Sequence, residues 1–232
     1  MSQNKYNPYL KKLPGNQRRA VEDLLAQNKP FNPAPSVRKQ WLVWMLLAAL
    51  NVGTTLFLIG FQNGLASRLA DPASALFLTL TFLASALAAW GGISASMPGD
   101  EPGRGQKILT AVLLIALFSM PFFFFAKDNM AVVWSHNMES GWFCFRTVLL
   151  VALPSWVLLG WLVSRNASFH PAWVGAWLGL SSFLLGTGTI QLHCSHWERC
   201  HMLVNHLLPL ALFIFIPIWA GSFWFSRWQK KP

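Results

Sequence analysis

Residues 41–62 read WLVWMLLAALNVGTTLFLIGFQ, a run that contains no Asp, Glu, Lys or Arg. A helix of about 20 such residues spans the hydrocarbon core of a bilayer. Five further uncharged runs of similar length follow it, at 75–97, 108–126, 147–164, 172–192 and 206–226. Strands of a membrane barrel would be half as long and would alternate in polarity. The pattern therefore predicts an all-α, polytopic membrane protein with a six-helix transmembrane bundle over residues 41–228.

The composition excludes several other classes of protein. Of the 232 residues, 54% are hydrophobic and 11% are charged, whereas soluble domains carry about 25% charged residues. Nucleic-acid-binding domains usually carry their basic residues as a patch on a polar domain. Here the net charge of +10 belongs to a mostly apolar chain, so no direct contact with nucleic acid is expected. Three cysteines are too few for a secreted disulfide scaffold of this length.

The basic residues are distributed unevenly between the two sides of the predicted bundle. Fourteen of the eighteen Lys and Arg fall on one side, in segments 1–40, 98–107, 165–171 and 227–232. Membrane proteins keep such an excess in the cytoplasm. Both termini are therefore expected to be cytoplasmic.

Residues 1–40 form a basic, Pro-rich tail that precedes the first span. Within it, residues 16–27 read NQRRAVEDLLAQ, which predicts a short amphipathic helix with a narrow apolar face. So short a helix is marginal alone and is expected to become ordered on a soluble partner or on anionic lipid.

The predicted loop after the fifth span concentrates metal-binding residue types. Residues 193–206 read HCSHWERCHMLVNH, with four of the six His and two of the three Cys. Thiolate and imidazole together suit a zinc or copper ion. If 193–201 is helical, some of these side chains share one face. The candidate metal ligands are His193, Cys194, His196, Cys200 and His201.

The same residues suit a thiol switch, because a protonated His lowers the pKa of a neighbouring thiol. Disulfides are permitted outside the cytoplasm, and Cys144 and Cys194 are then one candidate pair, with Cys200 spare or an exchange partner. A wet polar loop with one structural disulfide is a third interpretation. The residues leave all three open.

The C-terminal half, residues 140–228, carries a distinctive order of features. Cys144 opens the fourth span in WFCFR, Pro154 follows in LLVALPSW, and a helix rich in small residues ends in the pair His193-Cys194. In these features and in its whole layout, the chain resembles the NrsF-type membrane anti-sigma factors of bacteria.

That resemblance implies a protein of the bacterial inner membrane without enzymatic activity. It would hold an extracytoplasmic-function sigma factor through its N-terminal tail and sense a stimulus near Cys144 and Cys194. Cys200, His196 and His201 depart from the family pattern. The tail residues expected to contact the sigma factor are Arg18, Arg19, Val21, Leu24, Leu25 and Phe31.

Two other functional classes remain as alternatives. A membrane thiol oxidoreductase needs two cooperating cysteine pairs, usually with CxxC, whereas the chain has three cysteines and no CxxC. A transition-metal-binding membrane protein that transports its ion would need ligands deep in the spans, where Met120 is the main candidate. We therefore predict a regulator that releases its sigma factor on a periplasmic metal or oxidative signal, with zinc or copper as the possible ion.

Overall fold

A computed structural model defines six membrane-length helical segments and most of their connections. It describes residues 13–15, 17–19, 21, 35–97, 99–124, 141–164, 166, 170–196 and 199–229. Within these ranges the regular structure is helical, and six segments are long and apolar enough to cross a membrane. The prediction of an all-α membrane protein with six spans is confirmed.

Five spans are single helices, whereas the sixth runs through several short segments. The single helices are α1 Val37–Ile59, α3 Pro72–Ala95, α4 Arg104–Phe124, α5 Trp142–Val163 and α6 Pro171–Gln191, with the short α2 Leu65–Ala70 after α1. The sixth span consists of α7 Arg199–His201, a π-helix at Met202–Leu207, α8 Leu208–Phe213 and α9 Phe215–Gln229. Helix α5 begins before the predicted position 147, so Cys144 lies in its first turn.

Successive spans run antiparallel, so the bundle has two distinct ends. At one end, the start of α1 meets the residues that follow α3 and α5, and the side chains of Gln40 and Asn166 bond each other there. We call this the tail end. At the other end, the Gly60 carbonyl after α1 lies 2.9 Å from Nδ1 of His193, which follows α6. We call this the cysteine end, because Cys194 also lies there.

Helix α6 is the central element of the bundle, and its small residues permit close packing. It contacts α3, α5 and α9, and most of its residues are buried. A Cβ atom placed on Gly186 would lie 2.5 Å from the carbonyl oxygen of Val148 on α5, and one on Gly175 would overlap the carbonyl oxygen of Pro217 on α9. Small residues at membrane helix interfaces let backbones approach in this way.

Helix α3 begins with a side-chain cap at the cysteine end. The Asp71 carboxylate accepts hydrogen bonds from the backbone N–H of Ser74 at 2.9 Å and from its hydroxyl at 2.6 Å, and Pro72 takes the first helical position. These hydrogen bonds lower the pKa of Asp71, because they favour the charged carboxylate. The cap therefore defines where the second span starts.

Three buried side chains, Gln40, Ser96 and Asn166, join α1 to the ends of α3 and α5; we call them the tail-end polar cluster. The amides of Gln40 and Asn166 bond each other twice, at 3.1 Å each, and the Asn166 amide donates to Ser96 Oγ at 2.6 Å. Gln40 Nε2 also donates to the Pro35 carbonyl at 2.9 Å. Fully paired polar groups of this kind specify one arrangement in a low-dielectric interior. The segment that enters α1 is therefore tied to the bundle.

Candidate metal and thiol site

The chain turns sharply after α6 and buries Cys194. Residues 192–196 form a turn followed by a stretch without regular structure, and the backbone N–H of Cys194 donates to the Ile190 carbonyl at 2.7 Å. This bond closes a turn at the end of α6. As a result the Cys194 side chain is only 4% exposed.

Cys144 meets Cys194 from the first turn of α5. Both thiols are buried, and the Cys144 S–H donates to Cys194 Sγ over 3.6 Å without a disulfide bond between them. The contact of Gly186 with the Val148 carbonyl, one turn further along α5, allows the two helices to approach here. Close packing of α5 on α6 therefore brings the two sulfurs together.

The last span adds two imidazoles to the sulfur pair. His201 Nε2 lies 3.3 Å from Cys194 Sγ, and the side-chain amide of Asn205 contacts Nδ1 of the same ring at 3.2 Å. The ring of His206 stands 5.2 Å from that of His201, measured between centroids. One potential ligand atom from each of Cys144, Cys194, His201 and His206 lies within 4.8 Å of all the others. We call these four residues the Cys2His2 cluster.

A π-helical turn positions His206 in this cluster. The π-helix Met202–Leu207 lies directly before Pro209. Because Pro209 has no backbone N–H, it leaves a carbonyl of the preceding turn without its α-helical donor. The Thr187 hydroxyl donates to the His206 carbonyl at 2.9 Å, which helps to satisfy the irregular backbone. The wider turn, a feature often found at functional sites, places His201 and His206 on the same side although they are five residues apart.

The imidazole ring of His206 is buried. His206 is 0% exposed, and among the described residues neither ring nitrogen has a hydrogen-bond partner. A buried polar atom without a partner costs about 1–3 kcal/mol. An ion bound by a ring nitrogen would remove part of this cost, since neutral imidazole is a common metal ligand.

The electrostatics of the cluster distinguish its two sulfurs. The hydrogen bond from the Cys144 thiol lowers the pKa of Cys194, and His201 and His206 lower it further, against the opposing effect of burial. The thiolate is the form that binds metals and attacks electrophiles. Cys194 is therefore the sulfur that favours the thiolate, and Cys144 is its thiol donor.

The geometry of the cluster suits a four-coordinate soft ion. Bonds of 2.0–2.3 Å to a tetrahedral ion place the ligand atoms about 3.3–3.8 Å apart. The distances from Cys194 Sγ to Cys144 Sγ and to His201 Nε2, 3.6 Å and 3.3 Å, already fall in this range. No two of the four ligand atoms are more than 4.8 Å apart, so a contraction of at most about 1 Å brings every pair to 3.8 Å or less. Two sulfur and two nitrogen ligands favour Zn²⁺ or Cu(I) over harder ions.

Three sequence-predicted ligands lie outside the Cys2His2 cluster. His193 contacts the end of α1, and its ring also packs 5.4 Å from the ring of Phe143. The His196 ring stands 5.4 Å from the His201 ring. Cys200 is half-buried at the start of the last span. The predicted set therefore contributes Cys194 and His201 to the cluster.

The local structure explains why the cluster differs from the predicted ligand set. The condition under which several of these side chains would share one helix face is not met, since residues 192–196 form a turn and a stretch without regular structure. His206 is missing from the predicted set because the hydropathy pattern starts the last span at that position. A signal was present: Pro209 predicts a break in the preceding turn, and a π turn bonds residues five apart, which is the spacing of His201 and His206.

Part of the predicted sigma-binding tail falls within the described residues. Positions 17–19 and 21 are helical, and the amphipathic helix over 16–27 stays a prediction. Arg18 and Arg19 are exposed, and Val21 is half-buried. Leu24, Leu25 and Phe31 lie outside the described residues.

A family model described as NrsF, negative regulator of sigma F, matches residues 24–228. The chain belongs to the NrsF family. The match includes every residue of the Cys2His2 cluster, and it confirms the resemblance read from Cys144 and the His193-Cys194 pair. No curated protein and no solved structure shows a significant match to the chain.

Membership in the NrsF family identifies a negative regulator of a sigma factor, and hence a protein whose partner is a sigma factor. The six apolar helices make it a multi-pass membrane protein. The NrsF family is not a known family of enzymes. Transcription is therefore regulated through a protein partner.

Proposed function

We propose that this protein is a membrane anti-sigma factor that uses the Cys2His2 cluster to sense a metal ion. Its tail, residues 1–40, sequesters an extracytoplasmic-function sigma factor, and an ion bound at the cluster weakens that hold. The observation that carries the proposal is His206, whose fully buried ring has no hydrogen-bond partner in the described part of the chain and lies beside two sulfurs and a second imidazole.

The proposed orientation puts the tail end in the cytoplasm and the cysteine end in the periplasm of a bacterial inner membrane. The excess of Lys and Arg in the tail and in the tail-end loops supports it. Arg38 and Lys39 are exposed in the first turn of α1, where basic residues anchor a span at the cytoplasmic face. The tail and the sigma factor then share one compartment, and the cluster faces the other.

A physical route connects the cluster to the tail. The cluster draws one ligand from α5, one from the turn after α6 and two from the last span, so an ion that contracts it moves these elements relative to one another. Helix α5 leads to Asn166 at the tail end, which bonds Gln40 at the start of α1. A tenfold weakening of sigma binding needs only about 1.4 kcal/mol of difference between the two states.

Metal binding is tested on the full-length protein purified in mild detergent, with Zn²⁺ and Cu(I) added separately and affinities measured by chelator competition. We expect wild type to bind one ion per chain. His206→Phe should bind it at least tenfold more weakly, since even the loss of a residue that hydrogen-bonds a metal ligand lowers metal affinity about tenfold or more. Cys194→Ser should lose binding as well. Cys200→Ser is the matched control and should bind like wild type. Wild-type affinity in His206→Phe and in Cys194→Ser would overturn the metal site.

Sigma-factor binding is tested separately, by co-purification of the full-length protein with extracytoplasmic-function sigma factors of the same cell. We expect one of them to remain bound, and Leu24→Asp combined with Leu25→Asp to release it, because buried carboxylates disfavour an apolar contact. Lys5→Gln, upstream of the predicted helix, is the control. If removal of residues 2–34 leaves the complex intact, the tail is not the binding segment.

A second candidate function is a thiol switch, which the 3.6 Å separation of the two sulfurs favours. Hydrogen peroxide would oxidise Cys144 and Cys194 to a disulfide. The two thiols supply two protons and two electrons, which reduce one hydrogen peroxide to two water molecules. His206→Phe separates the candidates: it should lose the metal response of a sigma-dependent reporter and keep the peroxide response. A reporter that ignores peroxide in wild type excludes the switch.

A further inference from the structure

A cavity lies at the tail end, away from the Cys2His2 cluster. It has a volume of about 510 Å³, within the usual range for small-molecule sites, and lies between α3, α4, α6 and the last span. Its walls run along the helices and are mostly apolar, with Leu114 on α4, Leu180 on α6 and Ile214 on the last span. A long, narrow ligand with a hydrocarbon chain fits such walls.

The mouth of the cavity is polar and carries both signs of charge. Lys107, Glu101 and His170 line it, and His170 Nε2 lies 3.2 Å from the Glu101 carboxylate. Glu101 is about half-exposed and remains open to solvent on its other side. A ligand that brings both a negative and a positive group would therefore be matched at the mouth, whereas one with negative charge alone would face Glu101.

Thr110 supplies the observation that points to a ligand. Thr110 lines the cavity, and its buried hydroxyl has no hydrogen-bond partner among the described residues. Helical threonines usually donate to the carbonyl four residues earlier, as Thr81, Thr147 and Thr189 do here. Thr110 does not make this bond, so its hydroxyl hydrogen is not committed to the backbone of α4.

The order of these groups along the bilayer normal matches one class of molecule. Thr110 lies one turn beyond Lys107 on α4, about 4.5 Å deeper, and Leu114 lies one turn deeper again. Charge, then a hydrogen-bonding group, then hydrocarbon is the order of headgroup, ester and acyl chain in a phospholipid. Trp173 and Trp177 border the cavity near its mouth, as aromatic residues do at a membrane interface.

We infer that this cavity is a specific site for a phospholipid whose headgroup carries a phosphate and a primary ammonium. Lys107 binds the phosphate, Glu101 binds the ammonium, and the Thr110 hydroxyl donates to an ester carbonyl. One acyl chain lies along Leu114 and Leu180. The inference uses neither the Cys2His2 cluster nor the sigma factor, so it stands or fails independently of the proposed function.

The test is mass spectrometry of the intact protein, released from nanodiscs made of equal parts phosphatidylethanolamine and phosphatidylglycerol. We expect wild type to retain one phosphatidylethanolamine per chain. Leu114→Trp should expel it by filling the cavity, whereas Ile115→Trp, which is 69% exposed and does not line the cavity, should keep it. Retention in Leu114→Trp, or equal retention of phosphatidylglycerol by wild type, would overturn the inference.

Thr110→Val gives a second measurement that does not depend on a bulky substitution. Valine keeps the shape of threonine and removes one hydrogen bond, so the affinity for phosphatidylethanolamine should fall roughly two- to tenfold. Lys107→Gln should lower it as well. Unchanged affinity in both variants would show that the polar groups do not contact the lipid.

Discussion

The tail-end polar cluster makes a quantitative prediction about Asn166. Replacing it with Ala removes two hydrogen bonds to Gln40 and one to Ser96, all in a buried region. At about 1 kcal/mol for each bond, the free energy of unfolding should fall by roughly 3 kcal/mol. The loss of unfolding free energy should reach this full value, because Asn166→Ala leaves the Gln40 Oε1 atom buried without its hydrogen-bond donor.

A double-mutant cycle isolates the contact between α1 and the residue after α5. Asn166→Ala, Gln40→Ala and the double variant are unfolded by SDS in mixed micelles, and the three changes in free energy are compared. The two shared bonds predict a coupling energy of about 2 kcal/mol. Ser36→Ala, which affects a cap of α1 at a 3.5 Å contact with the Lys39 N–H, should be additive with Asn166→Ala.

The result that refutes this reasoning is additivity of Gln40→Ala and Asn166→Ala to within about 0.5 kcal/mol. Two side-chain amides that each donate a hydrogen bond to the other cannot be energetically independent. In cells, the same variants should raise sigma-dependent transcription without any stimulus, because the start of α1 is no longer held against α5. A reporter at wild-type levels in the Asn166→Ala strain would break the proposed link between the bundle and the tail.

Three other predictions concern the cysteine end. Gly186→Leu should separate α5 from α6, because its side chain would meet the Val148 carbonyl, and metal affinity should fall at least tenfold. Gly53→Leu is the control in the same chelator assay, because a side chain at Gly53 meets no other described atom within 4 Å. The hydrogen bonds from Ser74 lower the pKa of Asp71, so the stabilisation they give is present above the unfolded-state pKa and is lost as pH falls through the folded-state pKa. Asp71→Ala should therefore lower Tm at pH 7 and show a smaller drop in Tm on acidification than wild type. An equal drop in both proteins would contradict this. Maleimide should label Cys200 before Cys144 and Cys194, because these two are buried and Cys200 is only half-buried; mass spectrometry of labelled peptides measures the order. Equal labelling rates for all three cysteines would contradict the burial of Cys144 and Cys194.

The six spans follow from information that is local in the sequence. A bilayer requires about 20 apolar residues with internally paired backbone groups, so an uncharged run such as 41–62 predicts a helix without knowledge of its neighbours. The boundaries were less predictable. Helix α5 begins at Trp142, before the uncharged run, because Arg146 packs over the Trp142 ring at the membrane edge and is accommodated on the helix.

The sequence by itself determined a six-helix membrane protein, its NrsF layout and the concentration of His and Cys near one end. Only the tertiary structure decided which of these residues meet: Cys144 comes from a different helix, His206 enters through a π turn, and His193 and Cys200 lie outside the cluster. The physical reason is that span length depends on the bilayer, whereas the ligand set depends on how helices rotate and approach. That approach is decided by contacts such as Gly186 against Val148, which join residues far apart in the chain.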